Sequence, residues 1–175
     1  MKKKAITISI ILHALLLILV YVFQGVIFPF VRFSGYVPLL LPVVVTGIAL
    51  YEGRYVGGLS GLFAGILCDI SFNQPVGTFT VFLTIVGLGI GTLSDIVVLS
   101  GFITFYVGSA AVLIISAFIQ MLPIIALPNN ISTGELMGTA IWQTVYSLVL
   151  AFPIWLLVRA LGKRAERISP SGRIL

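Results

Sequence analysis

One carboxylate stands where a carboxylate is costly. Asp69 closes the stretch GRYVGGLSGLFAGILCDI, residues 53–70, in which Gly53, Gly57, Gly61, Gly65 and Asp69 recur every four residues along an otherwise apolar run. An ionised side chain inside a bilayer must be paired, hydrated or protonated. Two readings follow. Asp69 reaches the outer interface beside Asn73 and Gln74, or it turns inward and anchors a neighbouring helix or loop. Other candidate chemistry is thin. Catalysis needs a nucleophile, a base and an orienting group, or a metal, and no such set is assembled by spacing. His13 has no second ligand in view and reads as a packed or hydrogen-bonded histidine. Cys68, the single cysteine, reads as a small buried hydrophobe. The glycines of GLGIG, residues 87–91, lack the strand and the spacing of a dinucleotide fingerprint, but Gly87 and Gly91 share a helix face. Glu52, Asp95 and Glu166 read as solvated charges at span ends, and Glu135 as part of a helix cap. The expectation is a protein with no catalytic residues, no metal and no cofactor. An ion or proton pump is also disfavoured, because it would carry several intramembrane charges.

The elements that hold Asp69 follow from composition. The chain is 59% hydrophobic and 9% charged, with a mean hydropathy of +1.21; a soluble domain carries about a quarter charged residues. Apolar runs reach the roughly 20 residues that cross a bilayer. The expected fold class is an all-α integral membrane protein with six transmembrane helices, at about residues 5–28, 37–51, 54–72, 77–93, 103–127 and 133–161, followed by a basic tail at 162–175. The first run is too long for a signal-peptide core and has no small-residue cleavage pattern near its end, so it is expected to be retained. The stretch 94–102 reads as a linker or interfacial piece. Ser132 and Glu135 have capping-box spacing at the start of the sixth helix, and Pro153 is a place for that helix to bend.

Six crossings put both termini on one side. Lys2, Lys3, Lys4, Arg54, Arg159, Lys163, Arg164, Arg167 and Arg173 then share that side, and Arg32 alone falls opposite. By the positive-inside rule both termini are cytoplasmic. The net charge of +5 is explained by lipid headgroups at the ends of helices, with Lys2, Lys3, Lys4, Arg159, Lys163, Arg164 and Arg167 at the interface, and implies no nucleic acid.

A four-residue step turns a helix by about 400°, so each glycine lags the last by about 40° and the row runs obliquely, as an i±4 ridge does. Gly58 widens it beside Gly57. Without side chains on that ridge a second backbone can come into van der Waals contact, the force that joins helices in lipid. The helix so received belongs either to this chain or to a partner.

With the ladder and its terminal acid in view, the sequence resembles the rod shape-determining MreD family over most of its length: the basic start and apolar first helix, FP followed by GYVPLLLPVVV (within 28–45), YEGRYVGGLSGLFAGILCDI (51–70), and the basic tail after FPIWLLVRAL (152–161). Gly57, Gly61, Gly65, Asp69 and Gly77 match the family's glycine-rich helix, which ends in an aspartate and a short turn. The acid that members often carry after the proline of the second span is Leu39 here, so its role does not transfer, and Asp95 stands where a basic stretch is usual. The resemblance implies a non-catalytic membrane component of the bacterial cell-elongation machinery, in the cytoplasmic membrane, with MreC, MreB, RodA and a class B penicillin-binding transpeptidase as partners. The alternative is the substrate-binding S component of an energy-coupling-factor transporter, also a six-helix protein of this size, whose fold the chain could share.

Overall fold

The computed structural model describes residues 2–27, 38–72, 77–96, 101–126 and 133–168, with side chains for 10–26, 38–71, 77–96, 101–120, 138 and 140–160. Every regular element among them is a helix. α1 is Lys2–Val22 and passes into a wider π-helical turn at Phe23–Ile27; α2 is Leu41–Glu52, α3 Arg54–Phe72, α4 Thr78–Ile96, α5 Phe102–Ala126 and α6 Thr133–Ile168. Among the described residues three stretches are long and apolar enough to cross a membrane: Thr78–Ile96, Phe102–Gln120 and Ala140–Ala160. Their outer faces carry exposed large apolar side chains such as Ile85, Val107, Phe118 and Val149, the surface a protein presents to lipid rather than to water.

The shortest helix sits at the centre. α2 touches α1, α3, α4, α5 and α6, and every residue from 38 to 50 is buried. Its residues are apolar on all sides, as a helix enclosed by other helices requires. At 12 residues it is about 18 Å long, well short of a bilayer core of about 30 Å, and the burial of residues 38–43 puts its first turn inside the bundle. The sequence places this element at 37–51. The helix begins at Leu41 because Pro42 occupies its first turn, where a missing N–H costs nothing.

The first helix begins at Lys2 instead of residue 5, and two helix ends run beyond the sequence reading. α4 continues past residue 93 to Ile96, where the Ser94 hydroxyl donates to the Leu50 carbonyl at 2.6 Å and Asp95 meets the start of α3. α6 continues past 161 to Ile168 and runs unbroken through Pro153; the Lys, Arg, Ala and Glu after Gly162 are good helix formers. The turn at 73–76, Arg32, the linker at 97–100, the Ser132 cap and the tail from 169 lie outside the described residues.

Gly47 shows how α2 is gripped. A methyl there would lie 3.1 Å from the Phe105 ring and 3.2 Å from Val158, so α5 and α6 close on α2 where it has no side chain. Thr46 returns its hydroxyl to the Pro42 carbonyl at 2.9 Å, which removes a polar group from the core without a partner helix.

Candidate functional site

The oblique row on α3 faces α4 of the same chain. A methyl at Gly61 would run into the Leu83 carbonyl, and one at Gly65 into the Thr80 backbone. At Gly57 it would lie 2.8 Å from the Gly87 carbonyl and 2.7 Å from the Ala49 side chain on α2. Position 91 of α4 returns the contact against the Arg54 backbone. The two helices therefore run antiparallel with backbones touching along four turns. The facing row on α4 also steps by four: Phe79, Leu83, Gly87, Gly91 and Asp95. Its small residues face the α3 start, and its large ones, Phe79 and Leu83, are fully buried beside Gly65 and Gly61. Gly58 stands apart, since only the flexible end of Leu88 would meet a methyl there.

Asp69 is buried, at 5% exposure, and turned toward α4. One carboxylate oxygen accepts from the Phe79 N–H at 2.8 Å. The other accepts from the Gly77 N–H at 2.8 Å, the Thr80 N–H at 3.2 Å and the Thr80 hydroxyl at 2.7 Å. These are the orphan donors of a helix start, where a negative charge also meets the positive end of the helix dipole. Gly77, with φ of 105°, supplies the left-handed backbone that aims its N–H at the acid. In the structure Asp69 is turned inward and its carboxylate holds the start of α4.

Asp95 does the corresponding task at the opposite end. Its carboxylate accepts from the Arg54 N–H at 3.4 Å, and a methyl on Gly53 would lie 2.7 Å from it. Gly53 has φ of 83°, the backbone that lets α2 end and α3 begin one residue later. Glu52 departs from the sequence reading of a solvated charge. Its side chain is 8% exposed and stands 3.9 Å from the 2% exposed His13 on α1. Burial makes the two a structural pair between the first two helices.

The buried start of α2 is also satisfied from outside its own helix. The Leu39 N–H donates to the Ser147 hydroxyl on α6 at 2.8 Å, and the Leu40 N–H to the Gln24 side-chain carbonyl at 3.0 Å. Gln24 lies in the π-helical turn and is buried. An unpaired N–H in an apolar interior costs about 1–3 kcal/mol, so these two side chains stabilise the buried approach to α2. Sequence reasoning gave no role to Gln24 or Ser147.

Of the interfacial basic residues, Arg159 is exposed, with its guanidinium 4.9 Å above the Trp155 ring. The side chains of Lys2, Lys3, Lys4, Lys163, Arg164 and Arg167 lie outside those described. Among the described residues no group of His, Cys, Asp and Glu is arranged to hold a metal.

The family model for the rod shape-determining protein MreD matches residues 4–164. No curated protein matches, and no solved structure does. The matched residues include the whole α3–α4 pair and its two capping acids, and the match favours the first of the two families weighed from the sequence. The chain belongs to the rod shape-determining protein MreD family.

Proposed function

We propose that this chain is a non-catalytic membrane component of the bacterial cell-elongation complex, which binds transmembrane helices of cell-wall synthesis partners. The MreD family carries the broader part: a shape-determining component of rod-shaped cells. The partners proposed are MreC, RodA and a class B penicillin-binding transpeptidase within the bilayer, and MreB at the cytoplasmic face. The chain crosses the cytoplasmic membrane with both termini inside, on the reading that the basic helix ends share one side.

α4 packs along Gly57, Gly61 and Gly65, so this reading puts partner binding on another face. The observation that supports a partner surface is a groove between α5 and α6, about 250 Å³, lined by residues that include Ile114, Ala117, Ala140, Ile141 and Thr144. Its small residues would let a helix approach closely while the larger ones pack its flanks. Affinity purification from native membranes with identification of partners tests the proposal. Wall-synthesis proteins are the expected result. Recovery of transporter ATPase subunits instead would favour the S-component alternative.

A further inference from the structure

The corner between the start of α5 and the second half of α6 combines a fixed cation with an exposed apolar wall. Arg159 stands four residues before Lys163 and five before Arg164, where the apolar sequence of α6 gives way to basic residues, so its guanidinium lies where a crossing helix meets the headgroup layer. Its position is set by Trp155, whose ring it covers at 4.9 Å; such stacking orients a guanidinium and leaves its N–H edges free to bind. Trp155 is in turn fixed by the rings of Phe102 at 5.1 Å and Phe152 at 6.5 Å. Among the described residues no carboxylate pairs with Arg159. Directly beside it the surface is apolar and open: Phe152 is 53% exposed and Leu156 49% exposed. A ligand that suits both features must carry an anion at one end and a hydrocarbon at the other.

We propose that this corner is a binding site for an anionic phospholipid, with the phosphodiester on the Arg159 guanidinium and an acyl chain along Phe152 and Leu156. Charge complementarity selects the headgroup, and the place of Arg159 just before the basic residues that follow the apolar run of α6 selects a lipid over a soluble phosphate. The other exposed arginine stack serves as an internal comparison. Arg54 lies 4.8 Å over Tyr55, but its side chain already donates to the Tyr55 hydroxyl at 3.2 Å and its residue stands beside the Asp95 carboxylate, which repels a phosphate.

The test uses the full chain in nanodiscs of phosphatidylcholine, with and without phosphatidylglycerol. It reads the thermal midpoint and the phosphatidylglycerol retained in native mass spectrometry. The wild type is expected to retain phosphatidylglycerol and to melt higher in its presence. Arg159→Gln is expected to melt as the wild type does in pure phosphatidylcholine and to retain about fivefold less of the anionic lipid, the loss of one headgroup contact. Trp155→Leu should lose a similar share, because the guanidinium is no longer held. Arg54→Gln, and the combined change of Lys163, Arg164 and Arg167 to Gln, should each lose less than Arg159→Gln. Equal retention by wild type and Arg159→Gln would overturn the proposal. So would a larger loss from either comparison variant, which would assign the lipid to another arginine or to the tail.

Discussion

Asp69 and Asp95 each close the start of the other's helix. Asp69, near the end of α3, accepts the first N–H groups of α4, and Asp95, near the end of α4, accepts the first N–H of α3. Between them the facing rows of residues bring the backbones together. The pair is held by acids at its ends and by the absence of side chains in its middle, so each part can be altered separately.

The two acids are not equivalent. Asp69 is buried with four hydrogen bonds, whereas Asp95 is exposed and accepts at 3.4 Å. In Asp69→Asn one acceptor oxygen becomes a donor facing other donors. This should cost roughly 2–4 kcal/mol, while Asp95→Asn should cost under about 1 kcal/mol. Unfolding midpoints in detergent measure both, and equal midpoints would remove the distinction.

Gly61 and Gly58 separate backbone contact from side-chain contact. Gly61→Ala forces its methyl against the Leu83 carbonyl and should destabilise by about 2–3 kcal/mol, or prevent folding. Gly58→Ala meets only the end of Leu88 and gains helix propensity of up to about 1 kcal/mol; its midpoint should stay within a few degrees of wild type. Similar losses from both would mean that the ladder acts through general helix flexibility instead.

The mid-bundle start of α2 rests on two side chains. Ser147→Ala exposes the Leu39 N–H to an apolar interior and Gln24→Leu does the same to the Leu40 N–H, each costing about 1–3 kcal/mol. Hydrogen exchange should accelerate at Leu39 in the first variant and at Leu40 in the second. Protection unchanged at both amides would show that other acceptors serve them.

The sequence made some of this plain and hid the rest for physical reasons. The row from Gly53 to Asp69 is visible because glycine is unusual in a helix and repeats in register. Its counterpart from Phe79 to Asp95 has the same spacing, but Phe79 and Leu83 look like ordinary core or lipid-facing residues. The four-residue step that reaches Asp95 is the signal that could have found it. The central position of α2 leaves no trace, because a helix enclosed by protein and one bathed in lipid are both apolar on all sides. His13 and Glu52 meet across two helices, and Gln24 and Ser147 bind backbone groups, so no local spacing announces either arrangement. Asp69 could be located along its helix, but its direction depends on the turn through Gly77.

The role proposed for the groove between α5 and α6 is tested most directly by Ala140→Leu, which fills a small residue of its lining. The measurement is recovery of wall-synthesis proteins with tagged wild type and variant from native membranes, at matched expression and thermal midpoint. Val149→Leu, on an exposed part of α6, controls for added bulk in lipid. Partner recovery should fall by roughly tenfold for Ala140→Leu, the effect of overpacking one contact, and stay at the wild-type level for Val149→Leu. Undiminished recovery by a folded Ala140→Leu protein would contradict the assignment of partner binding to this groove.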